Sequence, residues 1–305
     1  MRCLSTLMKA SLFALFLAAA AAPAQAGSLE DGAAAFERGE YAAALSLLRP
    51  LADQGDALAQ VSLGLMYEHG LGVPQDYAKA VKWFRRAADQ GEAIAQYNLG
   101  FMYEHGQGVP QDYAKAAKWY RLASEQGDVA AQDLLGGLYY NGLGVPQDYA
   151  EAVKWYRLAA EQGDARAQLS LGLMYARGHG VPQDYTEAVK WYRLAAEQGD
   201  AETQALLGGQ YYIGHGVPKD YAKAAKWYRL AAEQGDALAQ LGLGVLYANG
   251  QGVIQDFQLA YMWFNLAAAK DTRGKAIRFR DLTAEKLTPA QLVQAQKWAR
   301  EWKPK

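Results

Sequence analysis

Four histidines recur at fixed places along the chain and are the first residues whose chemistry calls for attention. His69 and His105 lie 36 residues apart and each follows a glutamate, while His179 and His215 are separated by the same distance. A zinc site needs three or four such ligands close around one ion. Equivalent residues of stacked helical units lie instead roughly 10 Å apart, the spacing of packed helices. We therefore predict no metal site and interpret these histidines as loop-end residues that contact solvent or backbone.

The acidic and nucleophilic residues do not form a recognisable catalytic pattern. The sequence has no GxSxG, HExxH or P-loop motif, and its aspartates and glutamates fall where helix caps and outer faces are expected. The only cysteine, Cys3, lies in an N-terminal segment that we expect to be removed. We therefore predict that the protein is not an enzyme and has no catalytic residue and no cofactor. A hydrolase is the least favoured alternative.

A period of 36 residues runs through the sequence and defines the elements that position its side chains. Six tryptophans follow this spacing: Trp83, Trp119, Trp155, Trp191, Trp227 and Trp263. Self-similarity at such a period is typical of a solenoid, in which each repeat buries its apolar face against its neighbours. A solenoid presents an extended surface, so the pattern favours binding over catalysis.

One repeat contains two helices with clear start and stop signals. In the repeat 93–128, a first helix is predicted from about residue 93 to 104, ending at paired glycines, and a second from about 113 to 126. Asp112 is a good N-cap for the second helix, Gly127 ends it, and Asp128 can cap the next first helix. One face of the second helix is predicted to form the core, with Tyr113, Ala116, Trp119, Tyr120 and Ala123.

Variation between the repeats indicates which face is free of packing constraints. We number each repeat from its first residue, so that Ala93 is position 1. Positions 4, 7, 8, 11, 14 and 16 are identical in all six repeats, whereas positions 2, 5, 6, 9, 10, 12, 13 and 15 vary. Positions 2, 5, 9, 12 and 13 follow helical spacing. We call them the first-helix face.

The variable positions of the first helices carry the candidate partner-binding residues. Aromatic and aliphatic side chains with scattered polar groups are typical of interaction surfaces, whereas the alternative is a solvated face that is free to vary. We expect the aromatic members to be exposed in the free protein, although part of the set must pack against adjacent first helices. The candidates are Tyr97, Asn98, Phe101, Asp133, Tyr140, Leu173, Arg177, Gln210, Tyr212 and Ile213.

The repeats resemble Sel1-like repeats, which are relatives of tetratricopeptide repeats. In the second repeat the resemblance rests on Leu99-Gly100, Tyr103, Gly106, Gly108-Val109, Asp112-Tyr113, Lys115-Ala116, Trp119-Tyr120 and Gly127. The resemblance implies an all-α fold, an α-solenoid superhelix of helix-turn-helix repeats whose first helices line the concave side. It also implies an adaptor role in protein–protein interactions and no shared catalytic activity.

The ends of the array depart from the repeat. Residues 27–56 resemble a tetratricopeptide unit and are predicted to form an N-terminal capping hairpin, and 273–305 are predicted to form a C-terminal cap. Its helix is expected to begin with Thr288 as N-cap and to run through Trp302. Between them lie six Sel1-like repeats, at 57–92, 93–128, 129–164, 165–200, 201–236 and 237–272.

Residues 1–26 read as a secretory signal peptide. Arg2 and Lys9 precede a short apolar run, and Ala24-Gln25-Ala26 is a small-residue cleavage site. The run is shorter than the ~20 residues of a spanning helix, so an uncleaved anchor is the less favoured alternative. We expect cleavage near Ala26 and a periplasmic or secreted monomer with no membrane span.

The net charge of the mature chain limits the classes of partner that it can favour. Without Arg2 and Lys9, 29 of the 31 basic residues remain against 32 acidic residues, a net charge of about −3. This balance argues against nucleic acid or an anionic membrane surface. The sequence favours an exported adaptor that holds a protein or peptide partner in its concave groove, with a role in envelope regulation or assembly. The alternative is a glycan-binding module whose groove tyrosines stack on exopolysaccharide or peptidoglycan.

Overall fold

The fold is all-α in the part of the chain that the computed structural model describes, residues 26–271 and 274–304. The predicted signal peptide lies outside this part, apart from Ala26. Sixteen helices and no strand occur in the described residues. In chain order, α1–α16 are Ala26–Glu37, Tyr41–Gln54, Ala57–His69, Tyr77–Asp89, Ala93–His105, Tyr113–Glu125, Val129–Asn141, Tyr149–Glu161, Ala165–Arg177, Tyr185–Glu197, Ala201–Ile213, Tyr221–Glu233, Ala237–Asn249, Phe257–Ala268, Lys275–Ala284 and Pro289–Glu301.

The chain divides into two compact bodies, Met1–Asp148 and Tyr149–Lys305, which we call the N-terminal and C-terminal bodies. Within each body, the two helices of a repeat pack against each other, and each second helix also packs against the first helix of the next repeat. The predicted α-solenoid class of helix-pair repeats is thereby confirmed. In the second repeat both helices begin at the predicted residues and end within one residue of the predicted position.

The ends of the helices follow from aspartate and glycine at fixed positions. The Asp112 side chain accepts a hydrogen bond from the Lys115 backbone N–H at 2.9 Å, and Asp128 accepts one from Ala131 at 2.8 Å. Both bonds satisfy amide groups that have no partner within the helix. At the other end of α5, Gly106 takes the left-handed conformation with φ of 67° and closes the helix.

A second glycine brings consecutive repeats into backbone contact. Gly180 lies at position 16 of its repeat, with φ of +72°. A Cβ atom built on it would lie only 2.3 Å from the carbonyl oxygen of Tyr149, at the start of α8. Gly108 meets Tyr77 in the same way in the N-terminal body, with 2.4 Å to the carbonyl carbon. Position 16 is therefore glycine because the loop of one repeat rests directly on the second helix of the preceding repeat.

The core consists of rings packed on small residues. Beside Gly172 in α9, an added Cβ would meet the Tyr192 ring at 2.6 Å, and beside Gly100 it would meet Tyr120 at 2.7 Å. Glycine at position 8 therefore lets a second-helix ring lie directly on the first-helix backbone. The predicted core role of the tryptophans is confirmed for Trp83, Trp119, Trp155 and Trp263, which are 6–8% exposed, while Trp191 and Trp227 are half-buried.

The C-terminal region contains two helices after the last repeat. The predicted α16 begins with Thr288 as N-cap and Pro289 as its first residue, and Gln291 completes a capping box. The sequence analysis predicted one helix in this region, whereas the structure forms a second helix, α15, before it. Phe279 of α15 packs on Phe264 of the last repeat, with 5.5 Å between ring centroids. The N-cap of α15 is Gly274, and the Asp271 side chain accepts a hydrogen bond from the Ala276 backbone N–H in the first turn.

Candidate functional site

Buried glutamines hold the first helices in place. In the C-terminal body, Gln168 at position 4 donates from Nε2 to the Ala160 carbonyl at 3.1 Å. Its Oε1 accepts from Gln198 Nε2 at 3.0 Å, and the same amide of Gln198 donates to the Gly163 carbonyl at 2.9 Å. Gln96 and Gln126 make the equivalent 2.9 Å bond in the N-terminal body. These amides join consecutive repeats, so the first-helix face is carried on fixed backbone.

Arginines of the second helices reach tyrosines of the next repeat. Arg157 donates to the Tyr175 hydroxyl at 2.6 Å, and Arg193 donates to Tyr211 at 2.8 Å. Arg121 donates to Tyr139 in the N-terminal body. The guanidinium of Arg121 therefore joins two consecutive repeats.

Five of the candidate residues lie in the N-terminal body. Phe101 stacks on His105, with 4.0 Å between ring centroids, and Tyr97 lies 6.1 Å from the ring of Tyr120. The side-chain amide of Asn98 donates to the Ile94 carbonyl at 2.8 Å. The remaining two are Asp133 and Tyr140. Tyr97, Phe101 and Tyr140 present ring surface on the first-helix face of α5 and α7.

The other five candidates lie in the C-terminal body. Leu173 and Arg177 lie on α9, while Gln210, Tyr212 and Ile213 lie on α11. The last three line one pocket of about 520 Å³ in this body. The structure therefore brings Gln210, Tyr212 and Ile213 together around one concavity.

The candidates are less exposed than the sequence suggested. Arg177 and Ile213 are exposed, seven others are half-buried, and Asp133 is buried with 5% of its surface accessible. The expectation that Tyr97, Phe101, Tyr140 and Tyr212 are exposed is wrong, because all four rings are half-buried. Burial leaves Asp133 little surface for a partner, whereas the half-buried rings keep accessible surface. Their role in binding stays a prediction.

Three of the four histidines, His105, His179 and His215, lie against aromatic rings. His179 stacks on Tyr149 with 4.6 Å between ring centroids, and His215 lies 4.9 Å from Tyr185. His105 Nδ1 lies 3.0 Å from the Phe101 carbonyl oxygen. Within the residues that the structure describes, no group of three histidine, cysteine or acidic side chains could hold a metal ion.

Glu68 is a buried carboxyl group that lacks the partner its counterpart has. In the second repeat, the hydroxyl of Tyr120 donates to Glu104 Oε2 at 2.6 Å. The first repeat has Phe84 in place of this tyrosine, and Glu68 Oε2 is buried without a hydrogen-bond partner among the described residues. Burial raises the pKa of Glu68 to about 7. The sequence reasoning noted Glu68 only as a neighbour of His69 and missed this titratable group.

In the described part of the chain, no helix is both long and apolar enough to cross a bilayer. The geometry instead presents rigidly held rings and aliphatic side chains on the first helices of successive repeats. Such an arrangement can contact a ligand over an extended surface. The class of protein is therefore a repeat-built α-solenoid with a candidate binding face.

The chain belongs to the Sel1 repeat family. Six stretches match the model of the Sel1 repeat, at residues 57–92, 93–128, 129–164, 165–200, 201–236 and 237–271. Proteins built from these repeats generally mediate protein–protein interactions, and the scaffold is generally non-catalytic. The resemblance inferred from the second repeat is thereby confirmed.

Two solved structures are similar to most of the chain. A Sel1 repeat protein from Oxalobacter formigenes is 36% identical, with a TM-score of 0.73, over 80% of this chain and 100% of that one. The protein c5321, described as a protective antigen of uropathogenic Escherichia coli strains with an SLR fold, is 30% identical. That match has a TM-score of 0.52 and covers 91% of this chain and 84% of c5321. No curated protein matches the chain.

Proposed function

We propose that the protein is an exported, non-catalytic adaptor that binds a protein or peptide partner through the first-helix face. The observation that carries this proposal is the row of half-buried aromatic and aliphatic side chains on helices that the amide network holds rigidly. Rings already packed on one side lose little conformational freedom when a partner covers the other side. The partner's apolar groups would then bury the remaining ring surface.

Phe101 is an example of a ring that is held in place before a partner binds. Its ring lies on His105, and His105 in turn lies close to the Phe101 carbonyl through Nδ1. The two residues lie one turn apart at the C-terminal end of α5, so the ring is supported before any partner arrives. Aromatic anchors of this kind are enriched among the residues that dominate interface energies. Envelope regulation or assembly is the role that we propose for the complex.

Export is the second part of the proposal, and it is supported by the N-terminal sequence. We expect protein recovered from the periplasm or the medium to begin close to Gly27, because Ala24-Gln25-Ala26 is a small-residue cleavage site. N-terminal sequencing of the protein in each cell fraction measures this directly. A full-length chain beginning at Met1 and held in the cytoplasm is the contrary result.

Removing an aromatic anchor is expected to weaken partner binding with little effect on folding. The partner is first identified by pulldown with the mature protein and mass spectrometry. Phe101→Ala and Tyr140→Ala should each weaken binding roughly thirtyfold by calorimetry, the equivalent of about 2 kcal/mol. Folding should change less, because neither residue type is shared by all six repeats.

The control is Lys118→Ala, which alters an exposed side chain of the second helix α6 and should leave affinity unchanged. Equal affinity of all three variants would remove the first-helix face from the proposal. Retention of the protein on purified peptidoglycan or exopolysaccharide, with no recurrent protein partner, would favour the glycan-binding alternative. In that case the same tyrosines would act as stacking platforms for sugar rings.

A further inference from the structure

The C-terminal body contains a pocket between α11, α13 and α15. Its volume of about 520 Å³ lies within the range of about 300–1,000 Å³ that is usual for ligand sites. Its lining includes Gly209, Gln210, Tyr228, Leu241, Gly242 and Phe279. Three lining residues, Gln210, Tyr212 and Ile213, are among those that the sequence singled out for binding.

Three residues at variable positions of the repeats come together at this pocket. Position 10 is methionine or leucine in the other five repeats and is Gln210 here. Position 9 is Gly209, where Leu173 stands in the preceding repeat of the same body, and position 6 of the last repeat is Gly242. The glycines leave space that larger side chains fill in most other repeats.

The Tyr228 ring packs beside these glycines and is more exposed than its counterparts in other repeats. Its counterparts Tyr120, Tyr156 and Tyr192 are at most 7% exposed, whereas Tyr228 is half-buried and lines the pocket. A Cβ atom on Gly242 would lie 2.8 Å from the Tyr228 ring, so the ring occupies the place of a side chain there. Burial still raises the pKa of Tyr228 to about 12, so its hydroxyl keeps its proton and can donate a hydrogen bond.

Gln210 places an unpaired polar group at the same place. Its Oε1 is buried and has no hydrogen-bond partner among the described residues. A buried acceptor without a partner destabilises the fold, and an apolar residue at this position would avoid that cost. A side-chain amide carries one acceptor and one donor group, as a peptide unit does. A peptide group of a ligand can therefore pair with it.

The rest of the lining indicates a neutral, apolar ligand group. At the mouth of the pocket, Ile213 is 47% exposed and Leu238 is 72% exposed, which is more than scattered surface residues require. Two acidic residues, Glu202 and Asp236, and one basic residue, Lys275, also belong to the lining. This balance of charges does not favour a phosphate or another anion. The lining is mostly aliphatic and offers few hydrogen-bonding groups to a sugar.

We propose that this pocket binds one large apolar side chain of an extended peptide, whose adjacent peptide group pairs with the amide of Gln210. The inference rests on the proposed adaptor function, for which it names one specific contact. The aliphatic walls bury the side chain, and the Tyr228 hydroxyl offers a further donor to the peptide carbonyl. The pocket thereby selects an apolar residue at one place along the bound segment.

N-acetyl-L-phenylalaninamide and N-acetyl-L-leucinamide carry the proposed chemistry and serve as probes. Ligand-observed NMR with the mature protein should show binding with a Kd in the millimolar range, as expected for a ligand of about fifteen non-hydrogen atoms. N-acetylglucosamine and inorganic phosphate are the comparison probes and should bind at least tenfold more weakly. Tighter binding of either comparison probe would overturn the peptide assignment.

Two variants test the pocket itself. Gly209→Leu introduces the side chain that Leu173 places in the same repeat position, and a Cβ here would lie 3.6 Å from the Tyr228 hydroxyl, an ordinary contact. This variant should fold and should weaken probe binding at least tenfold because it fills the space. The matched control is Gly137→Leu, at position 9 of another repeat, which should not alter probe binding.

Gln210→Leu is expected to raise the melting temperature and to weaken probe binding. The melting temperature should rise, because the variant removes a buried acceptor and restores the apolar residue of the other repeats. Probe binding should weaken about threefold to tenfold with the loss of the hydrogen bond. Unchanged binding in Gln210→Leu or in Gly209→Leu would overturn the proposal. Neither result bears on Phe101 and Tyr140, which do not line this pocket, so the adaptor function is tested separately.

Discussion

Replacing Gly180 with alanine is expected to destabilise the protein by about 4 kcal/mol. The residue combines a left-handed φ of +72° with a backbone oxygen 2.3 Å from the place that a Cβ would occupy. The left-handed conformation costs a residue other than glycine roughly 1–2 kcal/mol, and overpacking adds about 1–3 kcal/mol. Because the atoms in the way belong to the Tyr149 backbone, no side-chain rotation can relieve the clash.

Gly163→Ala is the matched control for this change. Gly163 has φ of +95°, but no atom lies within 4 Å of its built Cβ. Alanine there carries only the conformational cost of roughly 1–2 kcal/mol. Urea titrations followed by circular dichroism measure both variants, with midpoints compared at unchanged slope. Equal shifts of the two midpoints would show that the loop of one repeat does not rest on the preceding helix.

Glu68→Gln is expected to stabilise the protein at pH 8 by roughly 3 kcal/mol and to leave it unchanged near pH 4. Burial raises the pKa of Glu68 to about 7, from 4.5. The folded state therefore holds this proton more tightly than the unfolded state does. Stability is full below pH 4.5, falls as the pH rises towards 7, and stays reduced above it. A neutral glutamine removes this loss.

Two further variants make the Glu68 result specific. Glu104→Gln, at the same position of the next repeat, should bring no gain at pH 8, because Glu104 accepts a hydrogen bond from Tyr120. Phe84→Tyr should supply the missing hydroxyl and reduce the pH dependence of stability.

His69 does not supply a positive charge to Glu68 at pH 8. Its Nε2 lies 3.7 Å from Glu68 Oε2, but burial lowers the pKa of His69, so the imidazole is uncharged at that pH. Thermal unfolding of each variant at pH 4, 6 and 8 is the measurement. Parallel pH profiles for wild type and Glu68→Gln would contradict the assignment.

The sequence predicts the repeated elements well because their signals are local. Asp112 as N-cap, Gly106 as helix stop and Thr288-Pro289 as helix start each act within a few residues of their own position. The repeat period then places the same signals along the whole array. Helix α15 was missed because its N-cap position is Gly274, which has no side chain to signal a helix start, and because Phe279 packs on Phe264, a residue of a different element.

The candidate site was predicted less well because exposure depends on neighbours in other repeats. Nothing in the local sequence distinguishes buried Asp133 from half-buried Tyr97, since both occupy position 5 of a first helix. Gln210 was found because its polar amide stands out among the apolar residues of that position. The significance of Gly209 and Gly242 appears only when the fold brings them to one pocket with Tyr228.

The glutamine contacts also determine how the length of such a protein can change. Gln198 and Gln234 each donate two bonds, one to the position-4 glutamine of their own repeat and one to a glycine carbonyl of the repeat before it. Loss of residues 165–200 by recombination would join Asp164 to Ala201 and offer Gln234 the same kinds of partner. Lys270 occupies this position in the last repeat and donates to the Gly235 carbonyl at 2.9 Å, so the bond to the preceding repeat is kept there. Genes of this kind can therefore gain or lose whole repeats without loss of this contact between neighbouring repeats.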